Sequence, residues 1–212
     1  MIDIFDLRRD FTLKTLDEND VLANPIQQFQ IWFSEAMDAQ ALEANAMNLA
    51  TVGLDLKPSS RIVLLKQIKS EGFVFFTNYE SKKALQIAEN RNVALTFIWN
   101  ELERQVRIEG VASKLPPNES DSYFEARPLA SKLGAWASPQ SMVILNRAYL
   151  EQLVLDFETR FEGKQITRPS NWGGYMVEPT RIEFWQGRKS RLHDRMCYSL
   201  ADNKWQIQRL AP

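Results

Sequence analysis

The sequence predicts a mainly β protein, a small barrel of about six strands with helices added to it. Short runs of β-branched and aromatic residues recur at close spacing from residue 47 onward, which is typical of strands. Clusters of turn-forming residues, such as 55–60 and 70–72, separate the first of these runs. Most of the predicted helices come late in the chain, which favours helical additions to one barrel.

The elements follow in order along the chain. Residues 1–24 are predicted to form a polar arm without a sustained hydrophobic period, and such a terminus is usually disordered unless something holds it. Pro25 then begins a helix that continues to about residue 43. The predicted strands are 47–54, 61–68, 72–78, 93–99, 103–115, 175–185 and 204–210. The further predicted helices are 80–90, 119–126, 129–136 and 147–162. No repeat or linker divides residues 25–212, so we expect them to form a single domain.

The composition limits the classes of function. The 212 residues are 44% hydrophobic and 25% charged, as in ordinary globular proteins. A net charge of −1 argues against a dedicated nucleic-acid-binding protein, whose affinity depends on a basic excess. The single cysteine, Cys197, fits a reducing compartment, and no apolar run approaches the roughly 18 residues of a membrane span. Since the N-terminus lacks a signal-peptide pattern, we expect a cytoplasmic protein.

Several common ways of binding a phosphate or a metal are missing from the sequence. It contains neither G-x-G-x-x-G nor G-x-x-x-x-G-K-[S/T], so a glycine-rich backbone cradle is not expected. One histidine and one cysteine are too few for most zinc sites, and no G-x-S-x-G nucleophile elbow occurs. Any bound phosphate must therefore be held by side chains.

The stretch 185–195 concentrates positive charge beside an indole and the only histidine, His193. Four cations and one carboxylate lie within it. Arginine donates paired hydrogen bonds to phosphate, and histidine is the side chain that titrates nearest neutrality. The stretch is therefore a candidate site for an anionic, planar ligand, although the solvated end of a hairpin would have the same composition.

Two other groups of cations are candidates for binding phosphate. Arg61 and Lys66 stand at the ends of one predicted strand, and their odd-numbered separation places them on opposite faces. Alternatively, both side chains extend into solvent and bind no ligand. Lys82 and Lys83 follow Ser81 at a predicted helix start, where the helix dipole repels cations. A bound anion would compensate for that mismatch and use the free N–H groups.

Tyr123, Arg127 and Ser131 recur every four residues across two predicted helices that meet at Pro128. If Pro128 only kinks the chain, a phenol, a guanidinium and a hydroxyl converge as a second phosphate site. Gln105 begins a strand with an amide that can both donate to and accept from the edge of a heterocycle. A solvated helix surface and ordinary strand polarity explain these residues equally well.

Together these segments resemble the pyridoxine (pyridoxamine) 5′-phosphate oxidase family, from about Pro25 to the last residue. The matching blocks, in chain order, are 61–66, 75–83, 102–106, 123–128, 134–141, 172–175, 182–187, 191–195 and 209–212. Many blocks in the same order are far more specific than any one of them.

The resemblance implies an FMN-binding split β-barrel that works as a homodimer, with the flavin at the subunit interface. By position, the FMN contacts would be Arg61, Ile62, Val63, Leu64, Leu65, Lys66, Phe76, Thr77, Lys82, Lys83, Gln105, Gln140, Ser141, Trp185 and Arg195. The substrate contacts would be Arg8, Phe11, Lys66, Tyr123, Arg127, Ser131, Arg191 and His193.

The resemblance also implies the reaction. The 4′-carbon of pyridoxine or pyridoxamine 5′-phosphate is oxidised to give pyridoxal 5′-phosphate, the flavin accepts the hydride, and O₂ is reduced to H₂O₂. Two residues would be catalytic. Arg191 would hold the substrate ring against the flavin, and His193 would orient polar groups of the substrate or assist proton removal. No metal, nucleic acid or membrane is implied.

The chain departs from the family pattern at three places. Phe76 stands where Tyr is common, and Lys82 stands where Arg is usual. In the arm that covers the family's active site, Phe11 replaces a Tyr, and the usually basic stretch that follows is acidic at 17–20. An arm that closes as a flexible lid and one that does not are both compatible with this pattern.

Two other functions remain as alternatives. One is a sister split-barrel flavoprotein, such as a flavin reductase-like or haem-utilisation-type protein. The other is a non-catalytic carrier of pyridoxal 5′-phosphate, which oxygen consumption would distinguish from an oxidase.

Overall fold

The computed structural model describes residues 2, 5, 6 and 10–212. Within them the chain forms an antiparallel sheet in the order β2-β1-β5-β6-β7-β4-β3, with β8 and β9 added beside β7. The strands are β1 (Ala46–Val52), β2 (Pro58–Leu64), β3 (Gln67–Ile68), β4 (Phe73–Asn78), β5 (Asn92–Trp99), β6 (Arg104–Lys114), β7 (Trp172–Gln186), β8 (Asp194–Ala201) and β9 (Lys204–Arg209). The helices are α1 (Pro25–Asp38), α2 (Lys82–Glu89), α3 (Pro117–Glu125), α4 (Leu129–Ala137) and α5 (Arg147–Phe161).

The sheet divides at β7, its longest strand. β6 lies along one side of β7, whereas the other side is shared: β4 pairs with the first part of β7, and β8 pairs with the last part. The change of partner falls near Pro179, which donates no ladder hydrogen bond. The register between β6 and β7 also shifts here, between Glu109 and Gly110 of β6. β4 and β8 therefore diverge from a common strand.

The edge of the sheet formed by β2 curls toward β4. The segment after β2 links the two edges, because the backbone N–H of Leu65 donates to Asn45 O at 2.8 Å and that of Lys66 donates to Val74 O at 2.8 Å. The sheet curls into a split barrel with a gap between β2 and β4. The prediction of a mainly β barrel with added helices is confirmed.

Helix α1 covers one end of the barrel and contributes aromatic side chains to the core. Its first turn is capped by Asn24, whose side chain accepts from the N–H groups of Ile26 and Gln27. Phe29 is fully buried, with its ring 5.0 Å from that of Phe97 between centroids, and Trp32 packs on β7. This packing attaches the helix to the barrel core.

Several predicted boundaries differ from the structure. The predicted strand 61–68 is in fact β2, which begins earlier at Pro58 and ends at Leu64, followed by the short strand β3. β7 begins at Trp172, before the predicted 175, and α1 ends at Asp38. The sequence pattern does not predict β8. Three consecutive residues of β8, 196–198, are buried, so the strand lacks the alternation that marks a half-buried strand.

Part of the N-terminal arm is held against the barrel. Leu16 is only 4% exposed, and its N–H donates to the Asp194 carboxylate at 3.1 Å. The Glu18 carboxylate pairs with both Nε and Nη2 of Arg209, at 2.7 and 2.8 Å. Glu103 accepts two further backbone N–H groups, at 2.7 and 3.0 Å. Glu18 of the arm, and Glu103 and Asp194 of the barrel, thus supply the carboxylates that hold this part of the arm in place.

Among the described helices, none is both long enough and apolar enough to span a bilayer.

Candidate functional site

A cavity of about 980 Å³ opens at the gap between β2 and β4. Its walls come from β2, the end of β4, the start of α2, and the α3–α4 region with the loop that follows. The lining residues are Ser59, Ser60, Arg61, Ile62, Val63, Leu64, Lys66, Phe76, Thr77, Asn78, Lys82, Lys83, Tyr123, Arg127, Pro128, Ser131, Gly134, Ala135, Ser138, Gln140, Ser141 and Trp172. The size suits a ligand as large as a nucleotide.

The charge of this lining has one sign. Five cations, Arg61, Lys66, Lys82, Lys83 and Arg127, lie among the lining residues, and no aspartate or glutamate of the described chain joins them. Cations with no acid among them create a positive potential that attracts anions. The cavity is therefore suited to a ligand with more than one negative group.

Arg61 projects from β2 and is held by neutral oxygen atoms. Its Nη1 donates to Thr51 Oγ1 at 2.7 Å and to Leu49 O at 3.2 Å, while Nη2 donates to Ser59 Oγ at 2.6 Å. Burial lowers the pKa of Arg61 from its usual value, but an arginine stays charged at any physiological pH. The guanidinium is thus fixed in place with its charge uncompensated by these partners.

Lys83 lies in the first turn of α2 and is 8% exposed. Its ammonium donates to Thr77 Oγ1, Ser81 Oγ and Gln140 Oε1, at 3.1, 3.2 and 2.9 Å. Burial, with a smaller effect from the charge of Arg61, lowers the pKa of Lys83 to about 8. The first-turn N–H groups of α2 and this ammonium are together suited to binding an anion.

A second group of donors surrounds Arg127. The Arg127 guanidinium lies 4.5 Å from the centre of the Trp172 ring, and its Nη1 is buried without a hydrogen-bond partner. Tyr123 stacks on Phe76 with 3.8 Å between ring centres, and Ser131 lies on the next helix. A buried guanidinium nitrogen with no acceptor is costly, so it indicates a place where a ligand supplies the acceptor.

A separate cluster forms where the arm meets the end of β7. The rings of Phe11, Trp185 and His193 meet there, with 5.7 Å between the centres of Phe11 and Trp185 and 4.5 Å between those of Trp185 and His193. Gly187 allows this approach, because a Cβ there would lie 2.6 Å from Phe11 Cγ. We call Phe11, Gln105, Trp185, Arg191, His193 and Arg195 the β7-end cluster.

The tautomer of His193 is fixed by a backbone N–H group. Nδ1 accepts a hydrogen bond from the Arg188 N–H at 3.1 Å. Burial, together with the charge of Arg191, lowers the pKa of His193 below its usual value, so the ring is neutral at pH 7. Since Nδ1 uses its lone pair on Arg188, the single ring hydrogen lies on Nε2. His193 therefore offers a donor to a ligand.

The other charged members of the β7-end cluster are held in different ways. Arg195 forms a paired contact with the buried carboxylate of Glu183, at 2.8 and 3.0 Å. Arg191 is exposed and has a positive φ of 61°, a backbone region that non-glycine residues rarely occupy. Gln105 is half-buried on β6 and pairs in register with Trp185 on β7.

The cavity and the β7-end cluster lie at opposite ends of β7. Gly173, at one end, is opposite Thr77 of the cavity, and Trp185 lies twelve residues further along. At a rise near 3.3 Å per residue, the path along the strand is roughly 40 Å. No member of the β7-end cluster lines the cavity. Within one chain the cavity and the β7-end cluster are therefore two separate groups of residues.

Most of the predicted site residues line this cavity. Arg61 and Lys66 line the same cavity, not opposite faces of one strand, because β2 ends at Leu64 before the alternation reaches Lys66. Leu65 lies in the core, 4% exposed. Arg8 is outside the described residues. Lining residues that the sequence pattern did not mark as ligand contacts are Ser59, Ser60, Asn78, Pro128, Gly134, Ala135, Ser138 and Trp172.

The fold and the site define the class of the protein as a small split-barrel protein with a cationic cavity at its seam. Comparison with known proteins then gives the family. Residues 33–160 match the model for pyridoxamine 5′-phosphate oxidase, and residues 172–212 match the C-terminal dimerisation region of pyridoxine 5′-phosphate oxidase. The chain belongs to the pyridoxine/pyridoxamine 5′-phosphate oxidase family of oxidoreductases, and the second match supports a homodimer.

Individual relatives agree with this assignment. The chain is 52% identical over its full length to the pyridoxine/pyridoxamine 5′-phosphate oxidase of Cyanothece sp., covering 99% of that protein. It is 54% identical to that of Cupriavidus metallidurans, with all of both chains covered. Among solved structures it resembles PhzG from Burkholderia lata 383 in complex with tetrahydrophenazine-1-carboxylic acid, with a TM-score of 0.89, 29% identity, and coverage of 94% of this chain and 99% of that one.

A more distant structure shows the fold alone. The pyridoxamine 5′-phosphate oxidase-related, FMN-binding protein of Nostoc punctiforme has a TM-score of 0.69 at 16% identity, with 87% of this chain and 97% of that chain covered. The likeness confirms the split barrel.

Proposed function

We propose that this protein is an FMN-dependent oxidase that converts pyridoxine or pyridoxamine 5′-phosphate to pyridoxal 5′-phosphate. Pyridoxine 5′-phosphate and O₂ would give the aldehyde and H₂O₂, and the amine substrate would also consume water and release ammonia. The observation that carries the proposal is the cavity with five cations and no acid among its described lining residues. Two phosphorylated molecules that bind side by side need two phosphate sites.

The residues present fit a flavin mononucleotide. Arg61, Lys82 and Lys83 surround the start of α2 and would hold the FMN phosphate, with the free N–H groups of the helix as further donors. Thr77 and Gln140 lie beside Lys83 and supply neutral polar groups for the rest of the cofactor. Bound FMN would supply the two-electron acceptor that no protein side chain here provides.

The second cationic group would bind the substrate phosphate. Arg127 presents an unpartnered buried nitrogen, and Tyr123, Ser131 and Lys66 line the same part of the cavity. A phosphate would give Arg127 its missing acceptor, so binding would replace an unfavourable contact by a charge-assisted one. A substrate without phosphate would leave this group unused, which argues for a phosphorylated substrate.

The β7-end cluster would complete the site from the partner subunit. None of its six members lines the cavity of its own chain, and four of them lie in the segment that matches the family's dimerisation region, so the cluster would meet the flavin across a dimer interface. Arg191 would then hold the substrate ring in place. His193 would donate from Nε2 and orient an oxygen or nitrogen of the substrate, and the Arg188 N–H on Nδ1 leaves it no free lone pair with which to remove a proton.

Mixing of inactive variants tests this arrangement. Arg127→Ala damages the cavity, and Arg191→Ala damages the β7-end cluster. If each site combines the two from different subunits, a heterodimer of the two variants has one intact site. Refolding the variants together in equal amounts should then restore about a quarter of wild-type activity, at substrate concentrations well below KM. Activity no higher than in the separate variants would contradict the proposed sharing.

The reaction itself is tested by product balance. With pyridoxine 5′-phosphate in air, pyridoxal 5′-phosphate and H₂O₂ should form in equal amounts, with equal consumption of O₂. A protein that binds pyridoxal 5′-phosphate but consumes no O₂ would be a carrier. A protein that holds FMN and oxidises only unphosphorylated substrates would be a sister flavoprotein.

A further inference from the structure

The guanidinium of Arg61 is the end of a chain of hydrogen bonds that leads away from the cavity. Thr51 Oγ1 and Ser59 Oγ accept from Arg61 and in turn both donate to Gln86 Oε1, each at 2.7 Å. The Gln86 amide is anchored on its other side, because Nε2 donates to Lys57 O at 3.2 Å. Thr51 is 2% exposed and Gln86 is 7% exposed.

The direction of these bonds is fixed by the cation. Arginine only donates, so each hydroxyl must use its oxygen to accept from Arg61 and its hydrogen to reach a further acceptor. Gln86 Oε1 is the acceptor for both hydroxyls, and the amide cannot be reversed without breaking both bonds. One amide oxygen therefore orients two hydroxyls, and these orient one guanidinium.

The chain of hydrogen bonds contains no carboxylate, which distinguishes it from other arginine contacts of this protein. Arg104, Arg168 and Arg195 each contact a carboxylate, those of Glu35, Asp121 and Glu183 respectively. A carboxylate would fix a guanidinium equally well, but it would cancel most of its charge. Neutral acceptors fix the direction of Arg61 and leave its charge for an anion in the cavity.

Thr51 and Gln86, the two residues behind the first hydrogen bonds of Arg61, do not line the cavity. Ser59 and Arg61 line it, whereas Thr51 and Gln86 do not. Thr51 lies on β1, and Gln86 lies on α2 one turn after Lys83, so one strand and one helix are joined behind the arginine. Thr51 and Gln86 can therefore act on a ligand only indirectly, and the hydrogen bonds through Ser59 and Arg61 are the direct connection.

We propose that Gln86 and Thr51 are positioning residues that aim the Arg61 guanidinium at the FMN phosphate without neutralising it. The inference rests on the proposed function, since it assumes that the anion beside Arg61 belongs to FMN. It assigns the selectivity for the phosphorylated flavin in part to two residues that never touch the cofactor.

Gln86→Glu is the most informative variant. Glutamate keeps the shape and the acceptor oxygen but loses the Nε2 donor to Lys57 O, and at neutral pH it adds a negative charge two hydrogen bonds from Arg61. A purely structural role predicts unchanged FMN binding. The positioning role predicts an affinity of the apoprotein for FMN about tenfold lower, because part of the attraction for the phosphate is cancelled.

Thr51→Val tests the geometry separately from the charge. Valine has the shape of threonine without the hydroxyl, so Arg61 loses its 2.7 Å contact while the strand packing is kept. The affinity for FMN should again fall about tenfold. Thr51→Ser keeps a hydroxyl and should retain most of the affinity. Thr96→Val removes a hydroxyl from the neighbouring strand β5, away from the cavity lining, and is the matched control.

The affinities of each apoprotein for FMN and for riboflavin, which lacks the phosphate, are measured by flavin fluorescence. Urea unfolding of the same apoproteins gives their stability. The proposal predicts weaker FMN binding in Gln86→Glu and Thr51→Val, with riboflavin affinity close to wild type in both. Stability should stay close to wild type in Thr51→Val, whereas Gln86→Glu loses the contact with Lys57 O and should be less stable. The proposal is overturned if both variants bind FMN as wild type does, or if their riboflavin affinity falls to the same extent.

This outcome is separable from a failure of the proposed function. If the wild-type apoprotein binds FMN no better than riboflavin, the cavity is not an FMN site, and the assignment of Arg61 to its phosphate fails with it. If the wild type selects FMN and the two variants select it equally well, only the positioning role is wrong.

Discussion

We expect Arg127 to strengthen the binding of a phosphorylated ligand and to lower the stability of the apoprotein, and one substitution can test both effects. Its Nη1 is buried without a partner, and its guanidinium lies on the Trp172 ring. Arg127→Met keeps a long stem that can pack on the ring but removes the charge and the donors. We expect the KM for the phosphorylated substrate to rise while the apoprotein becomes more stable.

The magnitudes follow from the contacts. Two charge-assisted hydrogen bonds to phosphate, at about 1.5 kcal/mol each, correspond to a roughly hundredfold rise in KM. Removing an unsatisfied buried donor relieves about 1–3 kcal/mol, and loss of the cation–π contact costs about 0.5–2 kcal/mol. The free energy of unfolding of the apoprotein should therefore increase by about 1 kcal/mol.

Steady-state kinetics and urea unfolding of the apoprotein provide the two readouts. Arg160→Met is a matched control, because Arg160 also lies on aromatic rings but outside the cavity. It should leave KM unchanged. Arg127→Lys should recover part of the affinity, since it keeps the charge but not the forked donors. An unchanged KM in Arg127→Met, or a clearly less stable apoprotein, would refute the reasoning.

Three further predictions concern the rest of the site and the arm. In the proposed site the ammonium form of Lys83 binds the phosphate of FMN, and burial lowers the pKa of Lys83 to about 8. The affinity of the apoprotein for FMN should therefore fall as the pH rises through 8, and Lys83→Met should remove that dependence. Gly187→Ala should push Phe11 away and speed proteolysis of the arm, whereas Gly134→Ala, with open space at its Cβ, should not. Glu18→Gln weakens the ion pair between the arm and the C-terminal strand and should also speed this cleavage, most clearly at low salt.

The sequence predicts the cavity better than it predicts the sheet. Cations and hydroxyls at the ends of predicted elements mark Arg61, Lys83 and Arg127, and all three line one cavity. Charge that gathers where elements end is a local signal. The relation between Arg61 and Lys66 is not local, because it depends on where β2 stops, and the alternation rule holds only within the strand.

Neither β8 nor the start of β7 has a sequence pattern that identifies it as a strand. β8 begins with charged residues and then buries three in succession, so neither alternation nor a simple apolar run identifies it. β7 includes Gly173 and Gly174, which usually weaken a strand. Here a Cβ on Gly174 would lie 2.5 Å from Leu115 and 2.8 Å from Phe76, so glycine is required by tertiary packing that a single segment does not reveal.

The β7-end cluster illustrates a different limit. Its residues are marked in the sequence by charge and by the only histidine, yet within one chain none of them lines the cavity. In the proposed arrangement they complete the cavity of a second subunit, which the pattern of one chain does not reveal. The network behind Arg61 is equally hidden, since a buried threonine and glutamine have no sequence pattern that indicates which cation they orient.

The central claim is best tested by an anaerobic absorption spectrum of the protein loaded with FMN, recorded before and after addition of pyridoxine 5′-phosphate. We predict that the flavin absorption bleaches within the time of a turnover, that pyridoxal 5′-phosphate appears in an equal amount, and that air restores the spectrum. Bound flavin that stays oxidised in the presence of either phosphorylated vitamer would contradict the claim.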